Sequence, residues 1–207
     1  MLRNQTATLS VSHGEVVLIS GPIASGKSLW LLRLAGIQPL PEDVCCRFDG
    51  LPWQADANVN LRMLPDDFEL LWLGQVVADE LSFGLKPRPS DQQMNQMLEA
   101  WRVPEVSLSA SMKDLNRLQA LRVALAALTM AEPDVLLLDN PTAVLPVEDG
   151  VLLRQDVRTW AKQTGMVVVA ACNRWHDWRD EADQWWRCEG GKGDLPVKMR
   201  WEDVDHA

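Results

Sequence analysis

Tyrosine is absent from the 207 residues, and phenylalanine occurs three times against ten tryptophans. Trp175, Trp178, Trp185 and Trp186 cluster towards the C-terminal end. Packing in the core or on the surface accounts for them. An interaction surface is the alternative, because tryptophan is enriched at interface hot spots. Basic clusters are missing too. A net charge of −9 without a Lys/Arg run argues against nucleic acid as a partner. It also leaves no polybasic patch for anionic lipid. No apolar run approaches the roughly 18 residues needed to cross a bilayer, so no direct membrane insertion is expected. The first residues, Met1-Leu-Arg-Asn-Gln-Thr6, hold no signal-peptide core. Together these absences imply a cytoplasmic protein that reaches the inner face of a membrane only through a partner. The four cysteines, Cys45, Cys46, Cys172 and Cys188, form no C-x-x-C pair. A vicinal pair is not a metal spacing either, so four reduced thiols are expected. His13, His176 and His206 read as surface residues. The remaining composition, 47% hydrophobic and 24% charged, is that of an ordinary globular chain. The length fits one domain over 1–207, with room for a subdomain, and is enough to bury a substantial core.

What is present is a phosphate-binding loop. Gly21, Pro22, Ile23, Ala24, Ser25, Gly26, Lys27 and Ser28 match G-x-x-x-x-G-K-[ST] in full. An apolar run, Val16-Val-Leu-Ile-Ser20, precedes them, and Leu29, Leu31, Leu32 and Leu34 follow at helical spacing. Strand, glycine-rich turn and helix start are the context this chemistry requires. Glycines let the backbone bend and approach phosphates, while successive N–H groups and the helix dipole bind the anion. Lys27 is placed for the outer phosphates, and the Ser28 hydroxyl for Mg²⁺. The chain is therefore expected to bind a nucleoside triphosphate with Mg²⁺.

The elements alternate. Strands are expected at about 6–11 and 15–20, a helix over 28–36 and a short strand at 44–48 ending in Asp49-Gly50. Residues 50–66 carry no clear pattern. From Leu70 to Ala110 the pattern is mostly helical, broken by Lys86-Pro-Arg-Pro89 and Val103-Pro104. Ser90 or Asp91 caps a helix running to Trp101. Leu115 to Met130 is amphipathic. Val135-Leu-Leu-Leu-Asp139 and Met166-Val-Val-Val-Ala-Ala171 read as buried parallel strands flanking a helix over 148–164. A last helix is expected over roughly 175–183, then a turn at Gly190-Gly191. The class is α/β, with a mostly parallel sheet flanked by helices. Asp139 ends its strand where ligands bind in such sheets, and supplies a second group for Mg²⁺.

The run from Leu115 through Arg122-Val-Ala-Leu-Ala-Ala-Leu to Glu132-Pro-Asp-Val-Leu-Leu-Leu-Asp-Asn-Pro-Thr142 resembles the heart of an ATP-binding cassette (ABC) ATPase. That family reads LSGGQ, then a helix of the form RVALARAL, then EPDVLLLDEPT, at the same spacing. Val77-Ala-Asp-Glu-Leu-Ser-Phe-Gly-Leu85 is similar to its TVEEEVAFGL stretch, with a lean towards energy-coupling-factor and cobalt-type importers. Ala182-Asp-Gln-Trp-Trp-Arg-Cys-Glu-Gly-Gly191 is similar to ADRVVVLEGG. The resemblance covers nearly the whole chain. It implies a P-loop fold of ABC type, with a helical subdomain over about 69–116 that docks on an integral membrane transporter subunit. It also implies a head-to-tail dimer with a second ABC-type ATPase subunit. The strand carrying the family's adenine-stacking aromatic has no counterpart, so the N-terminal strand region is expected to be shortened.

Catalytic positions depart from that pattern. Asn140 stands in place of the catalytic Glu, and an amide cannot accept a proton from attacking water. General-base help is worth roughly 10²–10⁴ in rate, so the change costs about 3–5 kcal/mol of barrier. Asn173 stands in place of the switch His, with His176 three residues further on. The signature is Leu115, Asn116, Arg117, Leu118 and Gln119, with side chains at two positions where the family has glycine. Spacing puts the Q-loop near Pro65-Asp-Asp-Phe68, so Asp66 or Asp67 takes the place of glutamine towards Mg²⁺, rather than Gln75. The D-loop reads Ala143-Val-Leu-Pro146, with proline in place of aspartate. The resemblance thus implies an ATP-binding subunit of a transporter complex that hydrolyses poorly or not at all. The alternative is a non-hydrolysing regulatory or assembly protein with ATP as a structural ligand, and a divergent P-loop kinase stands third.

Overall fold

The computed structural model describes residues 7–42, 44–52, 59–143, 145–190 and 195–202. Its centre is a six-stranded sheet in the order β5-β6-β7-β2-β8-β9. The strands are β2 (Val16–Ser20), β5 (Leu61–Leu64), β6 (Val135–Asp139), β7 (Val167–Cys172), β8 (Gln184–Arg187) and β9 (Val197–Met199). The first five pair in parallel, and β9 is antiparallel on the edge. A three-stranded sheet joins β1 (Ala7–Val11), β3 (Val44–Phe48) and β4 (Leu51–Pro52).

The continuous apolar runs explain the sheet's burial. A strand covered on both faces cannot alternate polar with apolar residues. Val16 and Leu18 of β2 face one core with Leu136, Leu138, Val168 and Ala170, under α3 (Asp91–Ala100), α4 (Arg117–Met130) and α5 (Val147–Thr164). Val17 and Ile19 face the other, with Leu137, Val169 and the residues Trp30, Leu31 and Leu34 of α1 (Lys27–Leu34). A two-residue periodicity thus assigns each strand's side chains to two separate cores.

Two expectations need correction. The stretch 70–110 is less helical than its pattern. It holds a 3-10 turn at Phe68–Leu71, α2 (Val77–Ser82) and α3 only. Gly84 at φ 73° follows the end of α2, and Pro87 and Pro89, without N–H groups, keep 86–89 out of a helix. The helix expected over 175–183 is only a 3-10 turn at Trp175–Trp178. The chain is already tied into the sheet at Asp183, whose carboxylate accepts the Val16 N–H at 2.9 Å and whose N–H donates to the Val16 carbonyl at 2.7 Å. Arg158 and Lys162 of α5 also reach that carboxylate, at 3.2 and 3.1 Å. Burial alone would raise the Asp183 carboxyl, but these partners hold it below the usual range.

Tryptophans of the described residues pack. Trp178, Trp185 and Trp186 are buried, and Trp175, Trp185 and Trp201 stack in series at 4.9 and 5.2 Å. Trp101 stacks flat on Trp160 of α5 at 5.5 Å, and donates to Thr129 Oγ1 of α4 at 2.9 Å. Beside it lies an ionic junction of three elements. Asp156 of α5 accepts from Arg122 of α4 at 2.9 Å and from Arg102, just past α3, at 2.8 Å. All four cysteines are free thiols. His13 pairs with Asp49 at 2.7 Å and His176 is exposed, while His206 lies outside the described residues.

Candidate functional site

The phosphate-loop motif sits between the end of β2 and α1, with β7 and β8 on either side. Its backbone takes positive φ at Gly21, Ala24 and Gly26. Gly21 is required by close approach, since a Cβ there would lie 2.3 Å from the Cys188 carbonyl oxygen. Gly26 is the N-cap of α1 at φ 94°, without a side-chain cap and without an acidic residue in the first turn. The first N–H groups of this helix are thus left for an anion. Pro22, Ile23 and Ala24 are exposed, whereas Ser25 is buried and its Oγ has no hydrogen-bond partner.

Lys27 folds back over the loop, donating from Nζ to the carbonyls of Gly21 at 2.9 Å and Pro22 at 2.8 Å. Burial lowers its pKa, opposed by Cys188, Cys172 and Asp139. Burial also pushes the Cys172 and Cys188 thiols up, to about 12 and about 11. They are neutral at pH 7, so Asp139 is the counter-charge that matters. Asp139 ends β6, 6% exposed, and its Oδ1 has no hydrogen-bond partner. Burial pushes its carboxyl up, the Ser28 hydroxyl and Lys27 pull it down, and Asp66 and Asp67 raise it again. Those two aspartates follow β5 and are exposed. The Asp139 carboxylate and the Ser28 hydroxyl are hard oxygen donors of the kind Mg²⁺ takes, whereas Asp66 and Asp67 act on Asp139 through charge alone, and no three acidic, His or Cys side chains among the described residues converge to hold a metal. An unsatisfied, buried carboxylate oxygen beside a lysine and a serine fits a cation there.

Asn140 and Asn173 are brought together. They line one cavity of about 160 Å³ with Thr142, Ala143, Cys172, Arg174 and Asp177. Asn140 takes φ 47° and donates its N–H to the Ala171 carbonyl at 2.9 Å, which ties the end of β6 to β7. His176 is not among the lining residues, and its ring packs edge-on against Trp175 at 4.9 Å. Val144 of the D-loop segment lies outside the described residues.

Leu115, Asn116, Arg117, Leu118 and Gln119 form the start of α4. Asn116 is the N-cap, and its side chain accepts from the Gln119 N–H at 2.9 Å. Gln119 returns the bond, accepting from the Asn116 N–H at 3.1 Å. Arg117 pairs with Glu69 at 3.1 Å and lies over the Phe68 ring at 5.4 Å. This contact joins the signature-like segment to the turn after Asp66 and Asp67, which spacing alone did not foresee. Two further groups went unnoticed in the sequence, Cys188 beside Lys27 and Arg174 beside Asn173. Adjacency to Asn173 was the available signal for the second.

The model of the ABC transporter family matches residues 4–143. The chain belongs to the ABC transporter family. It is 30% identical over 167 residues to the molybdate/tungstate import ATP-binding protein WtpC of Thermococcus kodakarensis, covering 78% of this chain and 50% of that one. It is 28% identical over 172 residues to the energy-coupling factor transporter ATP-binding protein EcfA1 of Latilactobacillus sakei, covering 79% and 61%. The chain spans about half the length of the sulfate and molybdate relatives it matches. Among solved structures it is similar to cbiO1 of Clostridium perfringens, part of the ABC transporter complex cbiONQ. The TM-score is 0.79 at 20% identity, over 93% of this chain and 80% of that one. A dimeric bacterial ABC transporter cassette gives 0.72 at 21%, over 93% and 88%. These likenesses carry the cassette fold. Among the described residues no helix is long and apolar enough to cross a membrane.

Proposed function

We propose that this ABC-family chain is the ATP-binding subunit of an import complex, and that it binds Mg-ATP but turns it over poorly. Gly21 to Ser28 hold the phosphates, with Ser28 and Asp139 towards the metal and Asp66 adding its charge. Asn140 and Asn173 occupy the positions of base and switch. One observation carries the reading. The Asp139 carboxylate meets the Ser28 hydroxyl of the loop and keeps one buried oxygen without a partner, while the next residue, Asn140, shares a cavity with Asn173, two amides where proton transfer would be needed. The chain then works with a second ABC-type ATPase subunit and an integral membrane subunit, at the inner face of the membrane. The helices over about 69–116 dock on that membrane subunit, within a single domain over 1–207. Import is supported by the relatives' names, which include molybdate/tungstate and sulfate/thiosulfate import proteins.

Steady-state ATPase on the purified chain, with and without its co-purified partner, tests this. Turnover is expected to be near background alone, and vigorous turnover would refute the reading. Asn140→Glu restores a base and is expected to raise turnover about tenfold, below the full 10²–10⁴ of a placed base because the signature stays altered. A membrane subunit recovered with the chain supports transport. Its absence favours the regulatory reading, with ATP as a structural ligand.

A further inference from the structure

The positive charge missing at position 173 is present one residue later. Arg174 lines the same cavity as Asn140 and Asn173. Its Nε lies 3.0 Å from Asp177 Oδ2, with the Arg174 side chain 59% exposed. An ion pair this exposed contributes little to stability and exchanges readily for a better partner. A phosphate is such a partner, because the planar guanidinium binds it through two parallel N–H groups.

The root of the side chain is fixed at the end of β7, beside the phosphate loop, where Cys172 is within electrostatic reach of Lys27. Cys172 Sγ donates to the Arg174 carbonyl at 3.1 Å. The following turn is held by Trp178, fully buried, and by Trp175 stacked on Trp185. Trp185 donates from Nε1 to Ser20 Oγ at 2.6 Å, and Ser20 is the residue before Gly21. The backbone is thus anchored while the guanidinium tip is free to swing.

A second cation stands behind the first. Arg154 is 7% exposed, and its Nε has no hydrogen-bond partner among the described residues. It lines an adjoining cavity that shares Thr142, Arg174 and Asp177 with the first. Glu181 lies near Arg154 but lines neither cavity. The two cavities therefore hold two guanidinium groups against one carboxylate, a balance that favours an anion.

We propose that Arg174 binds the terminal phosphate of ATP, supplying the charge that Asn173 lacks, with Asp177 holding the guanidinium until the nucleotide arrives. This rests on the proposed ATP-binding function. It makes the chain a reader of ATP against ADP, because ADP lacks the phosphate that Arg174 reaches.

Isothermal titration of the full chain with MgATP and with MgADP tests it. Arg174→Ala is expected to weaken MgATP roughly tenfold, as for one charge-assisted contact, and to leave MgADP unchanged. Arg174→Lys keeps the charge without the fork and recovers part of the loss. Asp177→Asn frees the guanidinium and tightens MgATP severalfold. Unchanged ATP affinity in Arg174→Ala, or equal losses for ATP and ADP, overturns the assignment while wild-type binding still supports the ATP-binding reading. Wild-type protein that binds neither nucleotide overturns both.

Discussion

Two helices of this protein begin in opposite ways. At the start of α1, Gly26 offers no side chain, the first turn has no acid, and Lys27 lies over the loop carbonyls. At the start of α4, Asn116 and Gln119 close a reciprocal capping box, and Arg117 is engaged with Glu69 and Phe68. A helix start leaves several N–H groups to be satisfied by something. In α1 that something must come from outside the protein. In α4 the chain's own side chains supply it. The first is an anion site by default. The second is structurally self-sufficient, its first N–H groups satisfied by the chain's own capping box.

The largest way to break this comparison lies at the far side of α4. Arg122 and Asp156 are 4% and 8% exposed in their side chains. Asp156→Ala leaves Arg122 buried with, among the described residues, the Trp101 carbonyl at 2.7 Å as its remaining hydrogen-bond partner. Removing one partner of a buried pair costs about 3–5 kcal/mol, read as a lower midpoint in urea. A loss under about 1 kcal/mol would mean that the stacked Trp101 and Trp160 hold α4 without the ion pair. Next comes Lys27→Ala. It removes the one lysine over the α1 start, and ATP affinity is expected to fall about 100-fold, as when two charged hydrogen bonds are lost. Calorimetry with MgATP measures it, and an unchanged affinity would show that the open helix start alone holds the phosphates.

The asymmetry is partly legible in the sequence alone. The phosphate loop is local: eight consecutive residues carry the glycines, the lysine and the serine, so spacing was sufficient. The buried strands ending at Asp139 and Cys172 were legible from unbroken apolar runs. The convergence of Asn140 with Asn173 was legible only through the family resemblance, because 33 positions separate them and the sheet's β6–β7 pairing joins them. Other features depend on contacts that no spacing encodes. Arg117 meets Glu69 across 48 positions, and Asp183 meets Val16 across 167. The pattern over 175–183 is helical in composition. Sheet pairing at Asp183 and burial of Trp178 outweigh that propensity, as tertiary context commonly does.

The two smaller effects probe α4's self-sufficiency directly. Asn116→Ala removes the cap acceptor and leaves the Gln119 N–H unpaired. It is expected to cost about 1 kcal/mol, whereas Asn116→Ser, which can still cap, costs a few tenths. Equal losses in the two variants would mean that the box contributes nothing and that packing alone sets the helix start. Glu69→Gln is expected to do least. Both side chains of the Arg117–Glu69 pair are 40% exposed, and Arg117 keeps its place over the Phe68 ring. An exposed pair contributes about 0–1 kcal/mol and fades with salt. The measurement is therefore the difference in stability between low and high salt, which should shrink in Glu69→Gln. If wild type and variant respond to salt alike, Arg117 is held by the ring and its packing, and the charge at Glu69 is incidental to how α4 begins.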